Sequence, residues 1–169
     1  PFSALVRSLC PQQLHGKAAE TILGRVTTRF GDGVSADIQK LRRARIDSMR
    51  ACGLSQAKAL AIKDLAEKCL DGTVPRVSAL HAMSDDEVVD RLTQVRGVGR
   101  WTVEMLLMFH MGRLDLFPVD DFGVRKGFTV LRSLAEPISP KKLMPQGDLW
   151  RPYRTVASWY LWRIADEKP

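Results

Sequence analysis

The stretch VRGVGRWTVEM, residues 95–105, sets two glycines one residue apart between arginines and runs at once into helix-forming residues. Glycine permits positive φ and leaves no Cβ to obstruct a close backbone approach. A helix that starts directly after such a turn points the N–H groups of its first turn outward, where the helix dipole adds partial positive charge. Gly97, Val98 and Gly99 followed by a helix from Arg100 therefore form a candidate anion site, with Arg96 and Arg100 adding attraction for a phosphate. Taken alone, the same glycines read as a tight turn in which Val98 plugs the angle between two packed helices.

Working outward, Ser84-Asp85-Asp86-Glu87 has capping-box spacing and opens a short helix to about Thr93, so the turn joins two helices. The helix after the turn covers 101–111 and stops at Gly112. Other helices are expected from apolar stripes: Phe2, Leu5, Val6 and Leu9, closed by Pro11; then Leu14, Ala18, Ile22, Val26 and Phe30. A further helix is expected over 37–51, and another carries Ala59, Ile62, Ala66 and Leu70 after a Ser55 cap. The last two run over 121–134 and 152–165. No segment alternates with a two-residue period for long enough to form a strand, and no internal repeat is visible. The expected fold class is all-α.

A chain of 169 residues is about one domain and can bury a core. Its 26 basic against 19 acidic side chains leave +7, an excess that favours polyanionic partners, chiefly nucleic acid. Cys10, Cys52 and Cys69 are odd in number and widely spaced, which argues against disulfides and thiolate clusters, and His15, His81 and His110 are scattered. The expectation is an intracellular protein, in a bacterial cytoplasm or a eukaryotic nucleus, without a metal site. No apolar run approaches the roughly 18 residues that span a bilayer, so no membrane partner is expected. The chain begins at Pro1 rather than Met, and upstream sequence is expected to be missing.

The second informative stretch is LFPVDDFGVRKG, residues 116–127, with two carboxylates at a helix entrance. The dipole there stabilises an ionised acid, so either Asp120 or Asp121 reads as an ordinary cap when taken alone. Trp150 and Trp159, on mostly apolar helical stretches, read as core. Arg42, Arg43 and Arg45, with Arg125, Lys126, Arg151 and Arg154, supply positive charge without individual assignments.

LTQVRGVGRWT, residues 92–102, closely resembles the helix-hairpin-helix of the DNA glycosylase superfamily (HhH-GPD). The likeness extends along nearly the whole chain through PFSALVRSLCPQQLHGKAA, RACGLSQAKALAIKDLA, FPVDDFGVRKG and WRPYRTVASWYLW, and is nearest the alkylation-repair, 3-methyladenine DNA glycosylase II branch. The resemblance implies a two-lobed, all-α single domain over 1–169 with a DNA-binding cleft. One lobe is a helical bundle of residues 14–112 that includes the hairpin at 95–101, and the other combines 1–13 with 113–169. The resemblance is to the compact form, in which the N-terminal β-rich domain of larger bacterial members is expected to be missing.

By the same resemblance Asp121 is the catalytic carboxylate and Asp120 is structural. Trp101, Met105, Phe122 and Trp162 wall a pocket for a flipped base. Gln13 is the wedge that fills the gap, and His15 is a weaker DNA contact. Arg96, Gly97, Val98, Gly99, Arg100 and Thr102 grip the backbone. Bifunctional members carry Lys where this chain has Trp101, which implies a monofunctional hydrolase without lyase activity, because a Schiff base needs an amine. Iron–sulfur branches carry four cysteines after the catalytic segment, and this chain has none after Cys69. No cofactor is implied beyond an optional monovalent cation at the hairpin.

The implied reaction is hydrolysis of the N-glycosidic bond of alkylated purines of the 3-methyladenine and 7-methylguanine type in base excision repair, leaving an abasic site. Its partner is double-stranded DNA containing alkylated bases, bound by a monomer. The alternative is a catalytically silent helix-hairpin-helix DNA-binding module, against which stands Asp121 in its full Pro-x-Asp-Asp setting. A helix-turn-helix regulator is a third reading, and it would bind DNA without releasing bases.

Overall fold

Several of the helices begin where a short polar side chain caps them. In the computed structural model, which describes residues 1–10 and 17–167, the Asp37 carboxylate accepts the N–H of Lys40 at 2.8 Å and Ser55 Oγ that of Lys58 at 3.3 Å. Ser84 and Glu87 exchange both bonds of a capping box. Among the described residues all regular elements are helical, and the β pairing is an isolated bridge between Gly31 and Ala36. The chain divides into two compact units, Pro1–Val103 and Glu104–Pro169.

The first unit contains α1 (Phe2–Leu9), α2 (Lys17–Phe30), α3 (Ile38–Arg43), α4 (Ile46–Arg50), α5 (Gln56–Leu70), α6 (Val77–Ala82) and α7 (Asp85–Leu92). Its organising element is α5, against which α1, α3 and α4 pack. Small residues let neighbours approach: Ala59, Ala61 and Ala66 are buried beside Ile62 and Leu65. Each large aliphatic side chain fully removed from water contributes roughly 1.5 to 3 kcal/mol, and α1 contributes Leu5, Val6 and Leu9 in this way. That packing corrects the expected lobes: α1 belongs with the first unit, and the boundary falls within the helix after the hairpin, not after residue 112.

The helix expected over 37–51 is two helices. Ala44 and Arg45 are extended, with ψ of 141° and 142°. The break leaves carbonyls that α3 cannot satisfy internally, and Lys63 on α5 donates to two of them, those of Arg42 and Ala44, both at 2.8 Å. A lysine twenty residues downstream is not a signal that hydrophobic periodicity can carry. The short helix α6 was likewise not expected.

α8 (Arg100–Phe109) starts in the first unit and ends in the second. The second unit continues with α9 (Phe122–Leu131), α10 (Pro140–Leu143), a 3₁₀ helix (Met144–Trp150) and α11 (Arg154–Asp166). Val124, Phe128, Leu143 and Leu161 form its core, with Phe117 and Trp150 packed against them. Trp150 meets Phe117 and Phe128 edge-on, at centroid distances of 5.6 and 6.1 Å, as expected of a core indole. Trp159 departs from the expectation: it is 47% exposed, edge-on to Tyr160 and under the Arg163 guanidinium at 5.5 Å.

α9 and α11 meet backbone to backbone. A Cβ on Gly127 would lie 1.9 Å from the Leu161 carbonyl oxygen, so no larger residue fits this register. Polar ties fix the pair further. Lys126 Nζ donates to the Ala165 carbonyl at 2.6 Å, and Arg125 Nε to that of Ile138 at 2.8 Å. Arg154 donates to both Asp115 oxygens, at 2.6 and 3.0 Å, and its guanidinium holds that carboxyl below its ordinary range. Arg151 bridges Asp115 and Asp148. These four basic residues are thus tied into the unit's own structure.

Candidate functional site

The hairpin lies between α7 and α8. Its turn begins with Thr93 and Gln94, and Val98 donates its N–H to the Val95 carbonyl at 3.0 Å. Val98 is buried, so its side chain is the plug between the helices and its amide is spent inside the turn. This agrees with the plug reading of Val98 and leaves only its carbonyl for any contact with DNA. Thr102 is also buried, which directs its side chain into the protein. Arg96 and Arg100 are exposed. Arg100 pairs with Asp86 at 3.3 Å, a solvent-exposed contact that competes weakly with other anions.

The two glycines differ. Gly97 has φ of +75°, a conformation side chains rarely adopt, while a Cβ there would make only ordinary contact with Ala61 and Leu9, so the backbone itself demands glycine. At Gly99 a Cβ would meet nothing within 4 Å, and φ is not positive. Its carbonyl accepts the N–H of Val103 at 3.2 Å, which makes it the residue from which α8 starts. Packing asks for no glycine at that place; a helix N-cap accepts one, and a ligand approaching the backbone would favour it.

A residue absent from the sequence expectations holds the turn. Asp64 on α5 accepts the backbone N–H of Arg96 at 2.7 Å and is paired with Lys68 at 2.6 Å. Asp64→Ala is expected to cost about 1 to 3 kcal/mol, the loss of a hydrogen bond to a charged acceptor. Denaturant melts of the variant check this, and an unchanged midpoint would contradict the assignment. The only sequence trace of Asp64 is its four-residue spacing from Lys68, which many solvated pairs share.

In the second unit the acid is Asp121, the residue that caps α9. Its Oδ1 accepts the Val124 N–H at 2.8 Å and the Trp162 indole Nε1–H at 2.7 Å. Capping and the expected catalytic place therefore fall on one carboxylate, while Asp120 is exposed. Phe109, at the end of α8, stacks on Trp162 with centroids 5.9 Å apart and planes 28° apart. A carboxylate, an indole edge and an aromatic face thus converge. Phe109 is 58% exposed and was not among the expected pocket walls, although it stands four residues after Met105 on the same helix face.

Of the other expected walls, Trp162 is in the cluster, Met105 is partly buried on α8, and Phe122 is 74% exposed at the first position of α9. Trp101 is half-exposed in the first turn of α8. Gln13 and His15 lie outside the described residues. Among the described residues no group of three or more His, Cys, Asp or Glu could hold a metal ion, and no helix is long and apolar enough to cross a membrane.

A hairpin with an open glycine at a helix start, followed by an acid-capped helix beside stacked aromatics, defines a class. Residues 6–152 match the HhH-GPD superfamily of base excision DNA repair proteins, and the chain belongs to that family. It is 37% identical over 165 residues to DNA-3-methyladenine glycosylase 1 of Schizosaccharomyces pombe, covering 98% of this chain and 72% of that one. Among solved structures, the 3-methyladenine DNA glycosylase of the same yeast in complex with abasic DNA superimposes with a TM-score of 0.84 at 37% identity, covering 96% of this chain and 79% of the other. A DNA-3-methyladenine glycosidase from Bacillus halodurans gives 0.89 at 37% identity, covering 98% and 76%.

Proposed function

We infer that the protein is a DNA glycosylase that hydrolyses the N-glycosidic bond of alkylated purines in duplex DNA and leaves an abasic site. The observation that carries this reading is the Asp121 carboxylate, pinned at Oδ1 by Val124 and Trp162 beside the Phe109–Trp162 stack.

Breaking an N-glycosidic bond builds oxocarbenium character on the deoxyribose, as in other glycoside cleavages. A fixed carboxylate stabilises that charge and orients or deprotonates the attacking water. A purine alkylated at N3 or N7 is already cationic and leaves without a strong general acid. Aromatic faces attract such a ring by about 0.5 to 2 kcal/mol over a neutral one. The base must leave the stack to reach these groups, and the hairpin supplies a backbone hold while it does so. Trp101, where a lyase needs an amine, supports water as the nucleophile. No cofactor enters this reading, although a monovalent cation at the hairpin is compatible with it.

The test is base release from methylated duplex DNA, with free purines and strand breaks measured separately. The expected result is release of 3-methyladenine and 7-methylguanine, an alkali-labile strand and no enzymatic nick. Binding without release would favour a silent DNA-binding module, and nicking without alkali would overturn the water mechanism.

A further inference from the structure

Gly123 is the second residue of α9, a place where glycine weakens a helix relative to alanine. Its φ is not positive, so no backbone conformation requires it. The space is what requires it. A Cβ on Gly123 would lie 2.6 Å from Trp162 Cδ1, 3.1 Å from Trp162 Nε1 and 3.2 Å from Asp121 Oδ1. The volume of the missing methyl is filled by the edge of the indole that donates to the carboxylate.

We propose that Gly123 is a positioning residue for the reaction: its missing side chain lets the Trp162 N–H reach Asp121 and hold the carboxylate in one orientation. The inference rests on Asp121 being the reacting acid. Moving α11 away from α9 would open the backbone contact of Gly127 with Leu161, so turning the one ring is the smaller adjustment, although it disturbs the stack on Phe109. A methyl at 123 is therefore relieved by rotating the indole, which breaks the 2.7 Å bond to Oδ1. The carboxylate then loses the indole donor that fixes Oδ1 from α11, while the Val124 N–H still caps from within α9. A misplacement of this size in a reacting group lowers kcat more than it weakens binding.

A purely structural glycine would behave differently. Gly123→Ala should still fold, with a melting temperature lowered by a few degrees because the indole must move, and should lower kcat for base release at least about tenfold. Trp162→Phe removes the N–H, so the bond to Asp121 is already absent, while a ring edge stays beside position 123. In that background the same Gly123→Ala change should lower kcat by less than about twofold, giving strong coupling in a double-mutant cycle. The Trp162 indole N–H resonance, assigned by its loss in Trp162→Phe, should move in Gly123→Ala.

Unchanged kcat in Gly123→Ala, an equal loss in both backgrounds, or an unmoved indole resonance would each overturn the proposal. If the wild-type protein releases no base, the functional reading fails on its own. The resonance then decides whether Gly123 still sets the Trp162–Asp121 contact.

Discussion

Asp121→Asn should abolish most base release, by about a hundredfold or more, while leaving the fold intact. The substitution separates two duties of one side chain. As the cap of α9 the carboxylate accepts the Val124 N–H, and asparagine caps helices as well as aspartate does. The amide oxygen also replaces Oδ1 as acceptor for the Trp162 indole, so these two hydrogen bonds survive. The negative charge does not survive, and it is what an oxocarbenium-like transition state needs. Melting temperature and single-turnover release from methylated duplex, measured on the same preparations, check the split. Equal release by both proteins would show that Asp121 is a cap and nothing more, and a collapsed melt would show that the charge supports the fold.

That the capping acid and the acid proposed to react are one residue explains how much of the site was legible beforehand. The helix entrance at Asp121 follows from local chemistry, because Asp before Phe-Gly-Val offers an N-cap oxygen whatever its other uses. Which of two adjacent acids turns inward depends on tertiary partners, and the Pro-x-Asp-Asp likeness supplied that choice. The hairpin was legible for the same reason, since Gly97, the Ser84 capping box and the helix from Arg100 are all local features.

What stayed hidden depends on distant residues. Asp64 anchors the turn from 32 positions upstream of Arg96, and Lys63 collects the carbonyls freed where α3 breaks. Gly123 and Gly127 look like defects in a helix until α11 is laid against them. Phe109 gains meaning only from Trp162, 53 residues later in the chain, as the stacked pair shows. Periodicity reports which face of an element is apolar, and it does not report the neighbour to which that face is fitted. The same limit placed Trp159 in the core: its helix is apolar in composition, while its ring lies under Arg163 in solvent.

Gly99→Asp should stabilise the hairpin and weaken its hold on DNA, two effects of opposite sign from one substitution. A Cβ at this position meets no protein atom within 4 Å, so the side chain is accommodated. Aspartate is a preferred N-cap, and an anion at a helix start gains about 0.3 to 1 kcal/mol from the dipole. The melting temperature is therefore expected to hold or rise. A phosphate drawn to the same N–H groups instead meets a carboxylate competing for them, and repulsion adds to the lost contact. Affinity for duplex DNA at low salt should fall at least about tenfold, and the slope of log affinity against log salt should flatten by about one, as one phosphate contact disappears. Gly24→Asp makes the same charge change on α2, where a Cβ also meets nothing, and controls for net charge. If both variants lose affinity equally, the turn has no special hold on the backbone and the open glycine has some other cause. If Gly99→Asp alone loses affinity while its melt is preserved, the space at that residue is kept for a ligand, since the protein's own packing leaves it unfilled.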